Sequence, residues 1–212
     1  MDRTKDSIVE DINWRLGEIA LIKAIAIDPG FSPQKKEIAL KYAIPALYSI
    51  WEGFIDFSFS EYAKYLNSKE LDFCNVNIDM LTHNSFSLLQ LHNPPRDYNK
   101  QKEFVKRIYN FLFQKFTIAP IPTGSNVNYD QLKIICLRFG ISMVPEEKYK
   151  SKLQRFLMFR NKLAHGSKSI IVHTSDLEFF SGLVIDLMFE VQENIFSSID
   201  NSSYTFNTID QI

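Results

Sequence analysis

Phe159-Arg160-Asn161-Lys162-Leu163-Ala164-His165-Gly166 brings a permanent cation, a carboxamide and an imidazole together at the end of one predicted helix. Strand cleavage in RNA needs a base for the 2′-hydroxyl proton, an acid for the leaving 5′-oxygen, and a cation for the charge that builds on the phosphorane. Histidine titrates close enough to neutrality for either proton role. A planar guanidinium is always charged and matches phosphate geometry. Asn161 and His165 are i,i+4 neighbours on one flank of the helix.

The helical phase sharpens this reading. Between Glu146 and His165 the bases Lys148, Lys152, Arg155 and Lys162 share one face, and Leu153, Phe156, Leu157 and Ala164 form an apolar stripe. Arg160 falls within the apolar stripe, apart from the other bases. Arginine enters such a face at a desolvation cost that only a partner offsets. The spacing alone also fits a plain helix end, with His165 on the last carbonyls and Arg160 bridging to a neighbouring helix.

The helix carrying these residues sits in a chain of 212 residues with 45% hydrophobic and 23% charged content, ordinary for one globular domain with a real core. The 18 Phe and 9 Tyr raise the aromatic share, and only 7 Gly and 8 Pro argue for long regular elements. A net charge of −1 excludes broad electrostatic capture of nucleic acid. Charge is uneven, however: Lys148 to Lys168 holds seven Lys or Arg and no acid. The start of the chain lacks a signal-peptide layout, and no apolar run has membrane-spanning length, so a cytoplasmic protein with no membrane association is expected. Cys74 and Cys136 stand far apart, which fits a reducing compartment and no disulfide.

Periodicity and caps predict the remaining elements. A first helix spans residues 3–27, with Ile8, Ile12, Ile19 and Ile22 inward, and Asp28-Pro29-Gly30 breaks it. Ser32 and Pro33 start a second, long helix to about Leu66, kinked at Pro45. Residues 67–99 read as mostly loop with a short helix near residues 86–91. A helix follows over 100–115, and Asn128 with Gln131 starts another that Gly140 ends. After the motif helix, Ser169 to His173 is a short extended piece, and Ser175 with Glu178 caps a last helix to about Ser197. The expected fold is all-α, a bundle of five or six helices with an irregular middle insertion, as one domain over residues 1–199 with a loose tail over 200–212.

Arg160-Asn161-Lys162-Leu163-Ala164-His165-Gly166 resembles the R-x4-6-H signature of the HEPN superfamily, in which a polar residue commonly follows the arginine. Three further stretches are similar to small bacterial HEPN proteins of the RiboL-PSP and MAE types. They are Ser49-Ile50-Trp51-Glu52-Gly53-Phe54, Gly124-Ser125-Asn126-Val127-Asn128 before a helix ending at Phe139-Gly140, and the motif helix with its closing helix. The resemblance implies a helical bundle that forms a homodimer, two motifs facing each other across a shared cleft, and metal-independent endoribonuclease activity in a toxin–antitoxin or anti-phage defence system. It assigns catalysis to Arg160, Asn161 and His165, with no cofactor and no metal, RNA as partner, and an antitoxin or defence-system protein as a further partner. Ser167 stands where some HEPN toxins carry a tyrosine that a partner nucleotidyltransferase modifies, so that mode of regulation is not implied here.

Glu52, Lys162, Arg155 and Lys168 are candidates for supporting the site or contacting RNA. Glu52 equally fits an internal salt bridge. His83 and His92 lack metal-ligand spacing, and His173 is read as preceding the cap of the last helix. Trp51, Phe54, Phe57, Phe59 and Tyr62 fit core packing better than base stacking. Two competing functions stay open: a non-catalytic HEPN module that binds RNA, a nucleotide or a partner protein, and a purely structural helical adaptor.

Overall fold

The computed structural model describes residues 3–85, 96–119, 126–166 and 170–206. Among them it is all-α, with seven α-helices and one 3-10 turn: α1 (Arg3–Ala26), α2 (Pro33–Ser68), the 3-10 turn (Phe73–Asn75), α3 (Ile78–Ser85), α4 (Tyr98–Leu112), α5 (Tyr129–Arg138), α6 (Glu146–Ala164) and α7 (Thr174–Asn201). The helix count exceeds the expected five or six because α3 lies in a stretch read as loop. Its sequence is polar, but Asn77 accepts the Asp79 N–H at 2.8 Å and Met80 is completely buried. A side-chain cap and one anchoring apolar residue therefore offset a weak intrinsic preference. The expected helix over 86–91 lies outside the described residues.

The hub of the bundle is α2, against which α1, α6 and α7 all pack. Ser32 caps it by accepting the Lys35 N–H, Pro33 occupies its first turn, and it continues without interruption through Pro45. Leu47, Trp51, Phe54, Ile55, Phe59, Tyr62 and Leu66 are completely buried, so apolar positions cover more of the helix than a single stripe. The core reading of Trp51, Phe54, Phe59 and Tyr62 holds. On the α1 side, buried Arg15 pairs with Asp11 at 2.6 Å and donates to the Ile50 carbonyl at 2.9 Å. A Cβ at Gly53 would stand 3.0 Å from the Arg15 guanidinium, so the glycine makes room for that cation between the helices.

Residues 200–206, the first part of the expected loose tail, are ordered. Asp200 and Asn201 finish α7, Ser202 turns left-handed at φ 51°, and Tyr204 is 5% exposed. The Asn77 N–H donates to the Tyr204 carbonyl at 2.9 Å and the Phe206 N–H to Asn75 at 2.8 Å, docking residues 202–206 on the 3-10 turn. Residues 207–212 lie outside the described set. The α7 cap is also His173 itself, whose N–H donates to the Asp176 carboxylate at 3.0 Å; the Ser175 and Glu178 pattern plays no part. No helix among the described residues is long and apolar enough to cross a membrane.

Candidate active site

The motif lies on the last turns of α6. The first half of this helix is anchored by Tyr149, Leu153 and Phe156, all completely buried, with Phe156 stacked on Phe180 of α7 at 4.9 Å. Burial then thins: Leu157, Phe159 and Leu163 are only half-buried, and Met158 is 44% exposed. Gly166, left-handed at φ 70°, ends the helix by donating its N–H to Leu163, a conformation that favours glycine.

Arg160 is held by three separate segments. Its guanidinium lies over the Tyr48 ring of α2, 4.5 Å from the centroid. Its Nη1 donates to Asn161 Oδ1 at 2.8 Å and to Asn126 Oδ1 at 3.0 Å. Glu52 Oε2, one turn along α2 from Tyr48, stands 3.9 Å from Nη2. The arginine side chain is 22% exposed, so a half-buried cation does occupy the apolar stripe, on the face turned to α2.

Asn126 is placed by its neighbours. Val127 is completely buried and its carbonyl accepts the Trp51 indole N–H at 3.2 Å. Asn128 then caps α5 by accepting the Gln131 N–H at 2.8 Å. With the next two residues fixed, the Asn126 amide is delivered to α6. The resemblance covered this stretch, yet Asn126 and Tyr48 were not among the predicted site residues. The available signal was an asparagine two residues before a strong cap.

Burial sets the electrostatics of the pocket. Burial pushes the Tyr48 phenol up to about 12; the Glu52 carboxylate adds to the rise, while Arg160 and the Val127 backbone oppose it. Burial also lifts the Glu52 carboxyl above its ordinary value, and Arg160 offsets only part of this. Glu52 Oε1 and the Tyr48 hydroxyl are buried without a hydrogen bond of ordinary geometry among the described residues.

The other predicted residues divide. His165 is the C-cap of α6; its backbone N–H donates to Asn161 at 3.1 Å, and its imidazole is exposed. Lys162 is also exposed. Arg155 is drawn elsewhere, donating to Asp176 at 2.8 Å beneath the start of α7 and lying over Phe159, Phe179 and Phe180. Lys168 lies outside the described residues, as do Ser167, Gly124, Ser125 and His92, and nothing of the His83 side chain is described.

The arrangement thus offers a rigidly held cation, a carboxamide bonded to it, and an accessible imidazole less than two turns onward. A sequence model of the MAE_28990-like HEPN proteins matches residues 4–204. No curated protein and no solved structure gives a significant match.

Proposed function

Because the chain belongs to the MAE_28990-like HEPN family across residues 4–204, and HEPN domains are frequently ribonucleases, we propose that it is an endoribonuclease working by general acid–base catalysis. The observation that carries the reading is the half-buried Arg160 guanidinium, oriented by two neutral amides and the Tyr48 face, with His165 exposed at the end of the same helix. Arg160 stabilises the charge of the phosphorane, His165 moves a proton, and Asn161 holds the guanidinium and meets the RNA backbone. These roles require no divalent ion.

One chain supplies one such imidazole, whereas the reaction uses a base and an acid. A homodimer that pairs two α6 ends across a cleft provides both. Half-covered Leu157 and Leu163 with exposed Met158, beside the motif, support a partner surface there. Growth arrest or anti-phage defence, restrained by an antitoxin or a defence-system protein, is the setting proposed for such a nuclease.

The test is the chemistry of the cleaved ends. Wild-type protein is expected to leave 2′,3′-cyclic phosphates, and His165→Ala to lose at least about 100-fold in rate while melting like the wild type. Products ending in a 3′-hydroxyl overturn the mechanism. A folded His165→Ala protein that cleaves at the wild-type rate removes the histidine from it.

A further inference from the structure

From α4 we infer a second RNA-contacting element: an arm that stacks unpaired bases on Tyr109 and Phe113 and meets the neighbouring phosphates with Lys102 and Lys106. This rests on the reading of RNA as substrate and places part of its recognition away from the motif.

Tyr98, Lys102, Val105, Lys106 and Tyr109 share one face of the helix by spacing, and Phe113 follows in the turn that ends it. That face is open: Tyr98 is 74% exposed, Val105 62%, Tyr109 62% and Phe113 73%. The Tyr109 and Phe113 rings touch, with centroids 4.7 Å apart and planes inclined at 52°, so each ring keeps an outer face turned to solvent. The helix is moored at its C-terminal end, where Phe116 packs on Phe73 at 5.5 Å, its N–H donates to Leu71, and Lys115 pairs with Asp72 at 2.7 Å.

Charge selects the occupant. Residues 96–115 hold six Lys or Arg against two acids, in a chain whose net charge is −1. A protein interface core is depleted of lysine, yet here Lys102 and Lys106 lie between Tyr98 and the Tyr109–Phe113 pair. Aromatic faces flanked by cations are what a single-stranded nucleic acid needs: every base has a π face, and every nucleotide a phosphate. Lys106 pairs with Glu103 at 2.8 Å on open surface, a weak contact that a phosphate can replace. The face extends roughly 22 Å, room for a few nucleotides. Bases inside a duplex are already stacked, so the arm discriminates in favour of unpaired RNA.

The experiment uses full-length protein carrying His165→Ala, so that bound RNA survives, and a fluorescently labelled single-stranded 12-mer read by anisotropy. Adding Tyr109→Ala and Phe113→Ala is expected to weaken binding by roughly 10- to 100-fold, about 1.4–2.7 kcal/mol, the loss of stacking for about one base on the ring pair. Binding to a perfect duplex of equal length should barely change. Lys102→Gln with Lys106→Gln should flatten the salt dependence of the single-strand affinity by about one unit of log–log slope. Unchanged single-strand affinity in both variants overturns the arm while leaving the nuclease reading intact. Equal losses on duplex and single strand also overturn it. Loss of self-association without loss of RNA affinity makes the face a protein interface and refutes the proposal. If the parent protein neither binds nor, with His165 restored, cleaves any RNA, the nuclease reading itself has failed.

Discussion

Tyr48→Phe is expected to leave the protein as stable as the wild type, or more so. Tyr48 is 1% exposed, and its hydroxyl lacks a hydrogen bond of ordinary geometry among the described residues. With the phenol pushed up to about 12, the hydroxyl stays protonated at neutral pH and does not act there as a base. Burying such a group unpaired costs ~1–3 kcal/mol. Phenylalanine keeps the ring, its edge contact with Phe156 at 5.5 Å, and the face 4.5 Å from the Arg160 guanidinium. After allowance for a weak polar contact with the Val127 backbone, the net change is about 0 to +1 kcal/mol. In a domain of this size that is a rise of up to about 4 °C in Tm. Tyr48→Leu separates platform from hydroxyl. It forfeits the cation–π contact, ~0.5–2 kcal/mol, and the aromatic pair, ~0.5–1.5 kcal/mol, so it should destabilise clearly and loosen Arg160. Urea unfolding and RNA cleavage rates on both variants make the assay. A Tyr48→Phe protein that loses more than about 1 kcal/mol refutes the reasoning, because the hydroxyl must then make a good bond. Cleavage lost at unchanged stability refutes it differently, by giving the hydroxyl a part in the reaction.

Glu52→Gln tests the sign of the electrostatics. The folded carboxyl sits above its ordinary value, so the unfolded chain ionises first and wild-type stability falls as pH rises through that window. The glutamine variant lacks this loss, so urea unfolding between pH 4 and 7 should show the variant gaining on the wild type as pH rises. The wild type gaining instead would mean that attraction to Arg160 outweighs burial. Gly140→Ala is expected to cost about 1–3 kcal/mol by thermal melting, because φ is 61° and the new Cβ would stand 3.0 Å from Met80 Cγ. Gly166→Ala faces open space at φ 70° and should cost only the backbone strain, about 1–2 kcal/mol; equal costs at the two sites would refute the steric part of the argument.

What the sequence made legible was local. Ser32 and Asn128 act as caps at the predicted positions, Gly140 and Gly166 close α5 and α6, and the phase of Arg160 against Leu153 and Phe156 follows from α6 alone. What it hid was contact between distant segments. The tail read as loose because Asn, Ser and Thr dominate it, whereas Tyr204 is buried against Tyr65, with ring centroids 5.8 Å apart. Nothing within the sequence of α2 says that a cation from α6 lies on the face of Tyr48. The sequence hides His173 as the cap, because Ser175 and Glu178 display the commoner pattern two residues later. Composition favoured the serine, but the Asp176 carboxylate settles the register by accepting the His173 N–H.

Two arginines on α6 show why the manner of holding Arg160 matters. Arg155 meets a carboxylate directly, Asp176 at 2.8 Å, an arrangement that neutralises the cation and ties α6 to the first turn of α7. Arg160 meets amide oxygens at 2.8 and 3.0 Å and a ring face, while its described carboxylate neighbour stays at 3.9 Å. Amides and π faces fix the plane of a guanidinium without cancelling its charge. Burial raises the Glu52 carboxyl above its ordinary value, and attraction to Arg160 offsets part of that rise. An arginine needed only to staple two helices gains most from the first arrangement. An arginine that presents its charge to an incoming anion at a fixed angle gains from the second, because amide oxygens and a ring face orient the guanidinium before the charge develops. The energetic cost is a partly desolvated cation beside a Glu52 oxygen that has no hydrogen bond among the described residues.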